Sequence, residues 1–336
     1  MKAEHGDDIY KYDSIKINLS SNTWQKADHA GLYAYLAENL SCISNYPEPN
    51  ADSLEKEIAR TENVNTDEII ATNGATEAIY LTAQAFKNSK SAILSPTFSE
   101  YEKACRLNGH TTTKIKNLYD EMSSNTMMWI CNPNNPTGKL IEKEPLLDFI
   151  DTHTNTTFVI DSSYSEFTTK PCITPEDTIK RNNIILLKSL TKQFSIPGIR
   201  IGYATANKNL TEKIRHQKMP WSVNQLAIET GKYLLQHKNH YAIDAEALNR
   251  EALRVGAEME KTNKIEVVKT DTHILLCKLI SGNAFELKEF LARKYGILIR
   301  DASNFDGLDE KYFRIAVQRE NENNEFLKRL NEWLQV

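Results

Sequence analysis

The chain has 336 residues, which at roughly 150 residues per domain leaves room for about two domains and a sizeable core. A mix of 40% hydrophobic and 26% charged residues is ordinary for a globular protein and excludes a disordered, collagen-like or coiled-coil chain. The net charge of −4 offers no basic footprint for nucleic acid, and no apolar run approaches the ~20 residues that span a bilayer.

Helix and strand patterns alternate over residues 52–206. Ser53–Arg60 reads as a short helix, and Ala75–Asn88 as a longer one with Ile79, Ala83 and Phe86 on one face. Short apolar runs follow at Ser91–Ser95, Met127–Cys131, Phe158–Ile160, Ile184–Leu187 and Ile201–Ala206. Helical stretches at Tyr101–Asn108 and Lys143–His153 lie between several of them. The pattern predicts an α/β fold, a mostly parallel sheet between helices. Long helices then replace it, Gln225–His237 and Ala242–Lys264. A strand-helix-strand-strand-helix tail closes the chain: His273–Leu279, Ala284–Tyr295, Leu298–Arg300, Tyr312–Val317 and Asn321–Leu334. The expected organisation is an N-terminal segment over 1–45, a large α/β domain over 46–224 and a smaller α+β domain over 225–336. The N-terminal segment is expected to pack on the small domain and the active site.

The N-terminus, Met1-Lys-Ala-Glu-His-Gly-Asp-Asp8, has no apolar signal-peptide core. Cys42, Cys105, Cys131, Cys172 and Cys277 form no CxxC pair, so neither a disulfide scaffold nor a zinc ribbon is expected. Reduced thiols and a cytoplasmic protein are.

Parallel sheets bind ligands beyond the carboxyl ends of their strands, and five such ends carry chemistry-bearing residues. Asn73-Gly-Ala-Thr-Glu77 opens a helix, where Gly74, Ala75 and Thr76 can offer backbone N–H groups and a hydroxyl to an anion. An ordinary turn is the competing reading. Phe98, in Ser95-Pro-Thr-Phe-Ser-Glu-Tyr101, can stack on a flat ring or simply fill the core. In Cys131-Asn-Pro-Asn-Asn-Pro-Thr-Gly138 two Asn-Pro steps make a rigid connection that can hold the Asn135 amide against a ligand, or serve only as a turn. Asp161 closes the aliphatic run Phe158-Val-Ile, a costly place for a carboxylate unless a cation pairs with it; a cap is the alternative. A protonated pyridine nitrogen would supply that cation, and Tyr164 stands three residues on. Lys192 follows the run Ile184–Leu187, flanked by the hydroxyls of Ser189 and Thr191, with Arg200 eight residues later. Hydroxyls and a guanidinium suit a phosphate ester, and a lysine beside one can form a Schiff base with an aldehyde cofactor. A surface loop rich in Lys and Ser is the bland alternative.

Asn132-Pro-Asn-Asn-Pro-Thr-Gly138 and Ser189-Leu-Thr-Lys-Gln-Phe-Ser-Ile-Pro-Gly-Ile-Arg-Ile-Gly-Tyr203, in that order with Asp161 between them, resemble the fold-type I pyridoxal-phosphate-dependent aminotransferases of class I/II. The resemblance runs through nearly the whole chain and implies a pyridoxal 5'-phosphate enzyme without a metal. It implies Lys192 as Schiff-base lysine and proton shuttle, Asp161 on the pyridine nitrogen, Tyr164 and Asn135 on the ring oxygen, and Phe98 against the ring. Ala75, Thr76, Ser189, Thr191 and Arg200 would hold the cofactor phosphate. Tyr46 would reach it from a partner subunit, which implies a homodimer with shared sites. Arg314 would grip a substrate carboxylate.

Two branches of that family fit best, the threonine-phosphate decarboxylases of cobalamin synthesis and the histidinol-phosphate aminotransferases. His5-Gly-Asp-Asp8, Ser95–Tyr101 and Leu298-Ile-Arg-Asp-Ala-Ser-Asn-Phe-Asp-Gly-Leu308 lean to the decarboxylases. That leaning implies Arg300 and His5 as holders of a substrate phosphate. A regulator that binds the cofactor without catalysis is the remaining reading, and the 45 residues before Tyr46 hold no helix-turn-helix candidate for it. Ser162 stands where this family usually has Glu.

Overall fold

The computed structural model describes residues 6–24, 27–120 and 126–335. The strands among them are β1 (Ile17–Asn18), β2 (Ile69–Thr72), β3 (Lys90–Leu94), β4 (Thr111–Ile115), β5 (Thr126–Cys131), β6 (Thr157–Asp161), β7 (Ile184–Ser189), β8 (Gly202–Ala206), β9 (Ile265–Val267), β10 (Ile274–Leu279), β11 (Ile297–Leu298), β12 (Arg300–Asp301) and β13 (Tyr312–Ala316).

Seven of them form one sheet in the order β2-β8-β7-β6-β5-β3-β4. Only β8 runs against its neighbours, so six carboxyl ends share one side. The near-continuous apolar strands β5 and β7 are buried as a sheet covered on both faces requires. The threonine-rich edge strand β4 leaves three of its five residues exposed. Helices Gly74–Ala85 and Glu100–Leu107 pack against each other, and Lys143–Thr152 buries Leu146, Leu147, Phe149 and Ile150. No helix among the described residues is long and apolar enough to cross a membrane.

A second, antiparallel sheet has the order β12-β13-β10-β9. Helices Ala245–Glu260, Ala284–Tyr295 and Glu320–Leu334 pack together with it. One apolar cluster runs from Ile70 and Trp129 of the large sheet to Leu275 and Phe313 of the small one. The N-terminal segment joins the small sheet's neighbourhood where β1 pairs in parallel with β11, Ile17 opposite Ile297.

The boundary expected between residues 224 and 225 falls inside a group of helices packed on the large sheet. Helix Gln225–Gln236 lies against Asp52–Glu62 and Ala30–Glu38, its Ala227, Ile228, Leu234 and Leu235 in one cluster with Leu32, Leu54, Ile58 and Ile69. The change of partner comes at Ala245–Glu260 instead, whose Leu248, Ala252 and Val255 pack with residues of β10.

Candidate active site

A cavity of about 350 Å³ opens where the carboxyl ends of the large sheet meet the small sheet and residues 6–22. Its inner wall collects what the sequence singled out: Ala75, Thr76, Phe98, Asn135, Asp161, Tyr164, Ser189, Thr191, Lys192 and Arg200. Its outer wall is Gly6, Asp7, Ser20–Asn22, Arg300 and Arg314. Tyr46 is not on either wall; it is 86% exposed, its ring 5.4 Å from that of Trp221. His5 lies outside the described residues.

The inner wall is built for an anion. Gly74 opens its helix at φ +77°, and a side chain there would come within 2.6 Å of the Arg200 guanidinium. Only glycine fits that conformation beside a close neighbour. Gly202, in strand β8, is required for close approach alone, since its Cβ would sit 2.5 Å from the Ala75 nitrogen. Arg200 is itself held in the left-handed region at φ 60°, its Nη1 donating to the Pro197 carbonyl at 3.0 Å. The hydroxyls of Ser189 and Thr191 meet at 2.7 Å beside it. Three hydroxyls, a guanidinium and a helix N-terminus thus face one corner.

Deeper in, Asp161 ends β6, one carboxylate oxygen accepting from the Tyr101 hydroxyl at 2.7 Å and the other from the Ser163 N–H at 3.0 Å. Burial beside that carboxylate raises the Tyr101 pKa, so the phenol stays a donor. Ser162, in place of the family's usual Glu, donates its hydroxyl to the Leu187 carbonyl at 3.1 Å and ties β6 to β7. Tyr164 is buried and accepts from Asn22 Nδ2 at 2.9 Å; burial raises its pKa too. Lys192 sits in the short helix Leu190–Gln193. Burial, with Arg200 and Arg314 nearby, lowers its amine to about 8, so it gives up its proton far more readily than an exposed lysine.

On the outer wall Arg300 and Arg314 stand directly opposite each other on β12 and β13. Like charges at such positions repel, and both are almost wholly buried. Arg314 donates from Nη1 to Asn135 Oδ1 at 2.6 Å and from Nη2 to the Ser20 carbonyl, while its Nε has no partner among the described residues. Burial lowers its pKa to about 10 and depresses that of Arg300 as well. Arg300 donates to Asn304 Oδ1 at 2.7 Å, its guanidinium 5.7 Å from the Phe305 ring centre.

The sequence reading missed Tyr101, Asn22 and His273. His273 is buried against Phe167, the rings 4.0 Å apart, and burial lowers its pKa to about 3, so it stays neutral. The clue available for Asn22 was its place in an uncharged polar run, Ser20-Ser-Asn-Thr23.

The inner wall fits a phosphorylated aldehyde cofactor: an anion corner, a buried carboxylate and an amine of lowered pKa, with Asn22 Oδ1 and Arg314 Nε buried and without a partner among the described residues. The fold is that of the type I pyridoxal-phosphate enzymes, and these groups suit that cofactor. The chain belongs to the class I and II aminotransferase family, whose model matches residues 10–330. It is accordingly a pyridoxal-phosphate-dependent enzyme. It is 30% identical to the threonine-phosphate decarboxylase of Salmonella typhimurium, over 88% of this chain and 85% of that one. A histidinol-phosphate aminotransferase of Caldanaerobacter subterraneus is also 30% identical, over 87% of this chain and 85% of that one. The crystal structure of L-threonine-O-3-phosphate decarboxylase from Porphyromonas gingivalis superposes with a TM-score of 0.93 at 39% identity, covering 95% of this chain and all of the other.

Proposed function

We propose that the enzyme removes CO2 from O-phospho-L-threonine, leaving (R)-1-amino-2-propanol phosphate for cobalamin synthesis. The observation that carries this reading is the pair of buried guanidiniums, Arg300 and Arg314, opposed on adjacent strands at the cavity. Such a pair calls for a small ligand with two anionic groups, and O-phospho-L-threonine has a carboxylate and a phosphate. The threonine-phosphate decarboxylase relatives support the same substrate.

Ala75, Thr76, Ser189, Thr191 and Arg200 would hold the cofactor phosphate, Asp161 its ring nitrogen, Tyr164 and Asn135 its ring oxygen, and Phe98 its ring face. Bound there, pyridoxal phosphate supplies an electron sink for charge developing at the substrate Cα. Arg314, fixed by Asn135 and Ser20, orients the substrate carboxylate, and Arg300 holds the phosphate at the other end. Lys192, with its amine near 8, can carry a proton as ammonium and deliver it to Cα as the carboxylate leaves.

We also infer a homodimer. Tyr46 and Trp221 form a tilted ring pair in the open, and Ile43 and Met219 beside them in the chain are 58% and 73% exposed. A second copy covering this face is the natural way to bury it, with Tyr46 reaching the partner's cofactor phosphate. The five cysteines are free thiols, which suits a cytoplasmic enzyme.

Histidinol phosphate lacks a carboxylate and uses one guanidinium of the two, although an amino-acid donor would occupy the other. The test offers O-phospho-L-threonine and histidinol phosphate separately, each with and without 2-oxoglutarate. The proposal expects an amino alcohol phosphate from the first substrate without the keto acid. Turnover confined to histidinol phosphate plus 2-oxoglutarate would make the enzyme an aminotransferase.

A further inference from the structure

We propose that the buried ion pair Asp8–Lys288 is a positioning clamp, which holds residues 6–8 as a wall against Arg300 and so fixes the grip on the substrate phosphate. The inference rests on the two-anion reading above, and neither clamp residue lines the cavity.

Lys288 Nζ lies 2.9 and 2.7 Å from the two Asp8 oxygens, and each side chain is only 3% exposed. Desolvation makes such a pair a poor source of stability compared with apolar residues of the same volume, but losing one partner strands a charge. A buried pair joining positions 280 apart therefore specifies where a segment sits more than how stable the fold is. Lys288 belongs to helix Ala284–Tyr295, and a second fastening is at the next residue, where Tyr12 donates to Glu289 at 2.7 Å.

The segment so held reaches the cavity. Asp7 has φ 61°, a conformation non-glycine residues adopt at a cost and keep only when their surroundings impose it. Its N–H donates to Ser20 Oγ at 3.0 Å, and its carboxylate accepts from Asn18 Nδ2 at 2.5 Å. Gly6 lies so close that a Cβ there would be 3.1 Å from Arg300 Cδ and 3.0 Å from Ser20 Oγ. Arg300 thus runs between the Gly6 backbone and the Phe305 ring. Freeing Asp8 removes one of these two walls. Arg314 keeps its own fixings on Asn135 and Ser20, so the carboxylate grip is spared.

The test uses the double variant Asp8→Leu/Lys288→Met, which removes both charges and strands neither, alongside Asp8→Asn. Hydrogen exchange over residues 6–12 is measured without substrate, and steady-state kinetics with O-phospho-L-threonine and L-threonine. The clamp predicts faster exchange confined to that segment. KM for O-phospho-L-threonine rises roughly ten-fold or more at nearly constant kcat, as displaced binding groups do, while kcat/KM for L-threonine changes less than about two-fold. Wild-type exchange in the double variant, or equal losses on both substrates, overturns the clamp. A wild-type enzyme that does not prefer the phosphorylated substrate overturns the two-anion reading itself, a result separate from a clamp variant that leaves an existing preference intact.

Discussion

Lys192 is where burial and chemistry meet in one side chain. Its amine is near 8 in the folded protein and near 10.5 in the unfolded chain, so the unfolded state binds more protons between those values. Stability of the cofactor-free protein therefore rises as pH climbs from 8 to 10.5, and the full penalty of burying the charge is present below 8. Lys192→Met should accordingly stabilise the cofactor-free protein at pH 7, by about 3 kcal/mol at most. Thermal melts should show that gain fading toward pH 10.5, and a gain constant across the range would remove burial as its cause. Lys192, Asp161 and Arg200 were legible in the sequence because each is a polar residue out of place beside an aliphatic strand or a glycine turn. Tyr101 and Asn22 were not, because their importance lies in partners 60 and 142 residues away. No local pattern encodes such a distance.

At the scale of elements, the antiparallel pairing of β12 with β13 makes the outer wall what it is. It brings together two arginines that the sequence separates by fourteen positions, and their juxtaposition depends on register alone. Arg300→Ala should weaken O-phospho-L-threonine by about 2–4 kcal/mol and leave L-threonine almost untouched, whereas Arg314→Ala should weaken both. Competitive binding of the two amino acids to each variant separates these outcomes; equal effects from both substitutions would break the division of labour. The buried strands β5 and β7 were readable as apolar runs. Strand β2 was not, being only four residues of Ile-Ile-Ala-Thr, and neither was the edge strand β4, whose Thr-Thr-Thr-Lys-Ile reads as polar loop. Leu298–Arg300, read as one strand, is split into β11 and β12, which pair with β1 and β13 respectively.

At the scale of the whole molecule, the α/β sheet and the smaller antiparallel sheet were both foreseeable from the alternation of patterns, but the partners of helix Gln225–Gln236 were not. Its apolar face shows that it packs, not against which sheet, and the structure seats it on the large one. The same limit applies to Tyr46, whose exposure with Trp221 becomes meaningful only in three dimensions. Trp221→Glu places a charge in that open aromatic pair and should convert a two-chain particle to a single chain in sedimentation equilibrium, with looser cofactor binding. A wild-type enzyme that sediments as one chain while active would contradict the shared site.

Two opposed arginines are proposed to select a substrate with two anions, whose carboxylate the site releases as CO2. The direct measurement is CO2 evolved from carboxyl-labelled O-phospho-L-threonine, with no keto acid present, by the wild-type enzyme and by Arg300→Ala. Sustained release by the wild type, with a deep loss in the variant, is the predicted result. Absence of release by the wild type, or release that the variant retains in full, would contradict the account.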